Sequence, residues 1–339
     1  MNRQNALFKY ILSRIAITPL MIWIIATMVF ALLRIAPGDP VDAILGNRAN
    51  ETARELLRSR LGLDQPLLNQ YLSFLNNILH GNLGESLNTQ QPVTEIISKA
   101  LPASLELCFT SLFIALLIGL TIGFSGIAKP EGKTDFIGRF YGISTYALPP
   151  FWAAMIMQIV FAVILGWLPI GGRFPASLIE PEGTGFLILD SILSGNWLAF
   201  NGAIRHIILP SSTLGILLSG IFSRSLRLNL GKTIQTNYVE AAMSRGLSFR
   251  KIVINHALPN ALLPVLTIAG LTIASLVGGA LLIEVTFSWP GMALGLQEAI
   301  SQRDYPVVQG IVVTVAALVV LIGIIVDILI AFIDPRIRY

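Results

Sequence analysis

Across 339 residues only 12% are Asp, Glu, Lys or Arg, 54% are hydrophobic, and the mean hydropathy is +0.73. Soluble domains carry roughly 25% charged residues, so the composition excludes an ordinary water-soluble fold and points to lipid as the solvent. The net charge of +4 is no sign of nucleic acid, because the cations fall between apolar runs, where they orient a chain in the membrane.

Six runs are long and apolar enough to span, since a spanning helix needs about 20 mostly apolar residues. In chain order they are Ile15–Leu33, Leu107–Ala128, Ile143–Leu168, Ile207–Phe222, Leu262–Ile283 and Ile311–Phe332. The expected fold is therefore an all-α polytopic membrane protein with six transmembrane helices. The first run exceeds a signal-peptide core of about 7–15 residues and lacks a small-residue cleavage site. It reads as an uncleaved anchor.

Between the first two spans, NETARELLRSRLGL predicts a short helix capped by Asn50 or Thr52 and stopped at Gly62. After Pro66, the residues Leu67, Leu68, Tyr71, Leu72, Leu75, Ile78 and Leu79 recur at helical spacing. That stripe suits the membrane surface or packing on the spans. In the second span Gly119 and Gly123 form a GxxxG that permits close helix approach. The single cysteine, Cys108, lies in the same apolar run, so there is no disulfide framework. Pro149 and Pro150 must disturb the third span, as a gating kink or a packing kink. Residues 169–205 show no period and receive no element. The fourth span is the shortest and contains Pro210. Ser211, Gly215 and Ser219 share one of its faces, which either lines a pathway or lets helices touch.

With the N-terminus inside, the inner segments hold 14 basic residues against four acids, Glu131, Asp135, Glu240 and Asp334. The outer loops, with the long 34–100 loop set aside, hold only three basic residues. The positive-inside rule then places both termini in the cytoplasm.

Little in the chain suggests catalysis. GKT at Gly231–Thr233 resembles the end of a phosphate-binding loop, but Leu226 stands where the earlier glycine is needed and no strand precedes it. His80, His206 and His256 are scattered over both sides and define no metal site by spacing. Three carboxylates, Glu106, Glu284 and Asp327, lie within or at the ends of spans. Such groups are functional candidates by default; their positions, away from the midplane, favour structural hydrogen bonding over proton coupling.

The stretch NYVEAAMSRGLSFRKIVINHALPN, from Asn237 to Asn260, interrupts two apolar runs on the inner side. Asn237 as N-cap with Glu240 three residues on forms a capping-box pattern. Gly246 can end that helix, with Arg245 favouring the last-turn dipole. Ser248 then starts a second helix that should stop before Pro259. Ala241 and Ala242 are small enough for close approach to another surface. Periodicity and capping admit two readings equally: a rigid hairpin that docks a protein, or a basic helix lying on anionic headgroups.

EAAMSRGLSFRKIVINHALP resembles the EAA loop of ABC-importer membrane subunits, with Glu240, Ala241, Ala242, Gly246, Leu258 and Pro259 matching. His256 replaces the usual isoleucine, as in the peptide-importer branch. RIAPGDP (34–40), LGLDQPLLNQY (61–71), GNLGES (81–86), LPPFW (148–152), FSWPG (287–291), RDYPVVQG (303–310) and DPRIR (334–338) extend the resemblance over nearly the whole chain. Together they are similar to the first, B-type membrane subunit of the dipeptide/oligopeptide permease family. Asn82 departs from the Asp common there.

The resemblance implies a type I ABC-importer permease fold and no enzymatic activity in this chain. It also implies a heterodimer with a paralogous permease, two cytoplasmic ATPase subunits holding ATP and Mg, and an external substrate-binding protein. Tyr238, Glu240, Ala241, Ala242, Arg245 and Gly246 would form the coupling helix. Residues 1–34 would comprise the N-terminal segment and first span, 35–100 an external helical loop, and 101–339 a five-helix core with its coupling loop at 237–260. Relatives of this kind handle dipeptides, longer peptides, glutathione or nickel complexes. The competing class is an ion-coupled carrier or channel that works alone, followed by a membrane-anchored scaffold.

Overall fold

The computed structural model describes residues 3–35, 41, 45, 50–60, 62–125 and 132–333. DPRIR, positions 36–40 of RIAPGDP, and Glu131 lie outside the described residues. Among the described residues regular structure is helical, with one isolated antiparallel bridge between Glu85 and Pro92. In order come α1 (Arg3–Ile35), α2 (Glu51–Arg60), α3 (Leu67–Leu79), α4 (Val93–Ser125), α5 (Lys133–Ala147) and α6 (Pro150–Met157). A π-helical turn (Gln158–Ile164) extends α6, followed by α7 (Leu187–Leu193), α8 (Trp197–Ile234), α9 (Asn237–Ser244) and α10 (Phe249–Ile252). A second π-turn (Val253–Ala257) leads into α11 (Leu258–Gly279), then α12 (Leu281–Thr286), α13 (Met292–Ser301) and α14 (Tyr305–Ile333).

Five of these helical stretches can cross a membrane, or six if α5 and α6 with its π-turn count as one broken span. That third span departs most from the sequence expectation: the two halves meet at 104° across Leu148 and Pro149. Pro150 can begin a helix but cannot continue one, because it lacks the N–H and its ring meets the preceding turn.

The fourth span also differs. It is not the shortest; α8 runs for 38 residues, about 57 Å at 1.5 Å per residue, well beyond the roughly 30 Å of hydrocarbon. Its apolar run reads short because 67% of its spanning window is enclosed by protein. Hydroxyls on Ser211, Thr213, Ser219 and Ser223 therefore need not face lipid.

The centre of the bundle is the crossing of α4 and α8, where small residues interlock. A Cβ added to Gly119 would lie 2.6 Å from the Ser219 carbonyl oxygen, and one at Gly123 would lie 2.9 Å from that of Ser223. From the other side, a Cβ at Gly215 would come within 2.9 Å of the Ser111 oxygen. The GxxxG is thus one half of a two-sided seam that lets backbones approach closely. Leu112, Ala115, Phe222, Leu226 and Leu230 continue it as a core shared with Val253, Ala257, Ala261 and Val265.

α5 is tied to α8 by a Tyr141–Ser219 hydroxyl pair at 2.6 Å and an Arg227–Asp135 ion pair at 3.3 Å. α1 and α14 pack side by side, joined by Arg14 and Asp327 at 3.1 Å. On the outer layer, Tyr71 and Phe74 of α3 stack on Phe30 of α1, while Leu67, Leu68, Leu72 and Leu79 stay exposed. Of the two placements foreseen for the stripe, packing on a span is the one seen, through Tyr71.

Candidate functional site

The stretch between α8 and α11 forms one short projecting helix, but its chemistry differs from expectation. The N-cap is Thr236, Asn237 is already inside α9, and no side-chain cap bond is made, so the capping box does not form. The Thr236 hydroxyl donates instead to the Thr233 carbonyl at 2.6 Å, satisfying the end of α8 while the chain turns. Gly246 does take the left-handed conformation, with φ +77°, so a residue with a Cβ there is strained.

The second helix does not stop at Pro259. From Phe249 it passes through the π-turn into α11 as a continuous span. The wide turn closes with the Leu258 N–H donating to the Val253 carbonyl. Pro259 then sits in the first turn of α11, where a missing N–H is tolerated.

Tyr238, Glu240, Ala241, Arg245 and Gly246 are exposed on the projecting helix. Ala242 is not: it is buried with Val239 against Ile252. Its small side chain therefore serves the brace between α9 and α10, and only Ala241 is left for close approach to another surface. Asn260 adds a second brace, donating to the Tyr238 hydroxyl at 3.1 Å and to the His256 carbonyl at 3.0 Å. The two contacts tie α9 to the π-turn and the start of the fifth span. Val239, Ile252 and Asn260 were not singled out from the sequence, although Val239 and Ala242 at i, i+3 mark one inward face.

Ser211, Gly215 and Ser219 are brought together as one face of α8, and all three are buried. Gly215 lies against Ile114 and Ser111, and Ser219 against Gly119 and Tyr141. Their contacts are those of helix touching helix.

Each of the three carboxylates has a protein partner. Glu106 accepts from Arg173 Nη2 at 2.7 Å and from the Ile188 N–H at 2.8 Å. Arg173 also donates to the Gly185 carbonyl at 2.7 Å, and Asp190 gathers the Thr184 and Gly185 N–H groups. Segment 169–205, featureless by pattern, is thus ordered by polar bonds that leave no hydrophobic period. Glu284, only 1% exposed, accepts from Ser104 at 2.6 Å and from the Ala293 and Leu294 N–H groups at the start of α13. Burial pushes this carboxyl above its ordinary value, against the downward pull of Ser104 and the two N–H donors. Gly291 of FSWPG is explained by the same site, since a Cβ there would meet the carboxylate. Asp327 has Arg14.

The sequence reading missed a fourth acid, Asp304 in RDYPVVQG. It is buried and accepts from the Ser86 hydroxyl at 2.6 Å and from the Leu87 and Asn88 N–H groups. Two quoted motifs, GNLGES and RDYPVVQG, thus meet in space. Among the described residues no cluster of His, Cys, Asp and Glu could hold a metal ion.

A multi-pass helical bundle whose carboxylates in and beside the spans are tied to protein partners, and whose braced short helix joins two of those spans, is built as a membrane permease. Residues 111–339 match the family described as binding-protein-dependent transport system inner membrane component, and residues 7–108 match the corresponding N-terminal family. The chain belongs to this family. It is 41% identical over 318 residues to the di/tripeptide transport system permease protein DppB of Pseudomonas aeruginosa, covering 93% of this chain and 94% of that one. It is 33% identical to the dipeptide transport system permease protein DppB of Escherichia coli K12, over 98% and 99% of the two chains. Among solved structures, the MetNI methionine ABC transporter in an inward-facing conformation aligns with TM-score 0.51 at 19% identity, over 71% of this chain and 97% of that one. The latter likeness bears on the fold, which is that of a type I ABC-importer permease.

Proposed function

We propose that this chain is the transmembrane subunit of an ATP-driven ABC importer of peptides, with both termini in the cytoplasm. A paralogous permease completes the pathway. Two ATPase subunits, which hold ATP and Mg, seat the exposed face of α9, and an external binding protein delivers the solute. The observation that carries this reading is near full-length similarity to dipeptide permeases in a chain whose exposed short helix is braced onto a span. Alternating access needs rigid-body movement around a central path, and a helix held by Val239–Ile252 and Tyr238–Asn260 contacts can deliver that movement.

The test is Gly246→Asp together with Ala241→Trp in the complete reconstituted complex, measuring ATP-driven peptide uptake and ATPase association. Both variants should insert normally, and each should reduce uptake at least tenfold through weakened or misaligned ATPase contact. Normal uptake in both variants would refute the coupling role. Peptide uptake driven by an ion gradient with this chain alone would place it instead among secondary carriers.

A further inference from the structure

We infer that the outer layer carries a binding site for the carboxylate of a small solute. It lies in a cavity of about 370 Å³ between α3, the first turn of α14 and Arg34 near the end of α1. Identifying that solute as a peptide rests on the importer reading above. Among the described residues the cavity wall contains one cation, Arg34, and no acidic residue. A charge drawn partly out of water is stabilised by an opposite charge close to it, which an anion entering the cavity would supply.

The guanidinium is held in place on two sides. Gln70 Oε1 accepts from Arg34 Nε at 3.0 Å, and the Gln70 amide is itself fixed by donating to the Leu63 and Gln65 carbonyls at 3.4 and 2.9 Å. The Phe30 ring centre lies 4.9 Å from the guanidinium carbon. Held by one edge and one face, the group keeps its terminal nitrogens for a planar, bidentate acceptor, which a carboxylate supplies. Gln309 lines the same cavity and has an Nε2 without a hydrogen-bond partner among the described residues. A donor left unmade at a cavity wall is satisfied by a ligand oxygen.

The geometry of α3 favours a solute over a lipid headgroup. Gln70, Ser73 and Asn77 line the cavity from one face, whereas Leu68, Leu72 and Leu79 are exposed on the opposite face. The side of α3 suited to acyl chains therefore points away from the site. Its volume is within the roughly 300–1,000 Å³ of small-molecule pockets.

The decisive variant is Asn82→Asp, which places a carboxylate in the wall. Asn82 Oδ1 accepts from the Gly84 N–H at 2.9 Å, a bond that Asp retains, so the loop should keep its shape. Binding of radiolabelled dialanine is measured by equilibrium dialysis on the complex without its binding protein, in phosphatidylcholine nanodiscs. Acetate should compete and the C-terminal amide of dialanine should not, and Asn82→Asp should weaken binding about tenfold or more. Equal competition by the amide, or unchanged binding in Asn82→Asp, overturns the site. Inorganic phosphate competing better than acetate reassigns it to free phosphate. Loss of binding only in discs containing phosphatidylglycerol reassigns it to a lipid headgroup; either result overturns the carboxylate assignment. Uptake by the complete system is followed in parallel. Normal peptide uptake without carboxylate-dependent binding removes the site alone. Acetate binding that Asn82→Asp weakens, without peptide uptake, removes the importer reading alone.

Discussion

Replacing Gly119 by Ala tests the seam between α4 and α8 most directly. The added Cβ would stand 2.6 Å from the Ser219 carbonyl oxygen and 2.8 Å from Phe222 Cβ. The first neighbour is backbone, so no rotamer change can relieve the contact, and the helices must part by several tenths of an ångström. Overpacking of this kind costs roughly 1–3 kcal/mol, whereas Ala in place of Gly in a helix interior returns about 0.8–1 kcal/mol. A net loss of up to about 2 kcal/mol is expected from these two terms. Gly231→Ala supplies the internal control, because Gly231 lies in α8 with nothing within 4 Å of the added atom. It gains the propensity without the clash. Thermal unfolding of the purified chain in detergent should therefore rank Gly231→Ala at or above the parent and Gly119→Ala below it. A Gly119→Ala protein as stable as Gly231→Ala would refute the close crossing.

Asp304→Asn should weaken the junction with Ser86, Leu87 and Asn88 by about 1.5–3 kcal/mol, the range for hydrogen bonds to a charged group. Limited proteolysis should then cut the 80–92 segment faster, with the spans unaffected. Glu284→Gln should remove a pH dependence. Because burial raises the Glu284 carboxyl, the folded chain holds more proton than the unfolded one between the ordinary and the raised value. Stability contributed by this group is thus present at the acidic end of that window and falls as pH rises through it. Unfolding followed across the window should show that slope in the parent and lose it in the variant. If α9 docks an ATPase as proposed, Tyr238→Phe should leave ATPase binding intact while lowering uptake, since it removes the Asn260 bond but keeps the exposed ring.

The apolar runs were legible because lipid demands an unbroken stretch of hydrophobic residues, and each run falls on one helix or, for the third and fifth, on two successive ones. Their ends were not. α4 begins at Val93 rather than Leu107, because Ser104 and Glu106 look like the edge of a span until their partners Glu284 and Arg173 are known. Patterns local to one helix do not report partners 67 or 180 positions away. The short helix between α8 and α10 was legible in position and in its Gly246 stop, but its cap was misassigned by one residue. Thr236 and Asn237 are both good caps by type, and the end of α8 decides between them. Pro259 misled for a similar reason: the rule for the residue before proline assumes a regular helix, and the π-turn escapes it. Ala242 looked like a contact residue only while Ile252 had no place.

The Ser86–Asp304 bond joins residues 218 positions apart. A chain is made from its N-terminus at roughly 5–20 residues per second, so the outer segment must wait while four further membrane stretches are inserted. Throughout that interval Ser86 does not have Asp304 to meet, and this layer can close only once the stretch leading into the last span is made. The junction therefore dates from after the fifth membrane stretch, because Asp304 stands just before the last helix, Tyr305–Ile333. A nascent chain arrested before Asp304 should keep an unlatched outer layer even with its earlier helices in place.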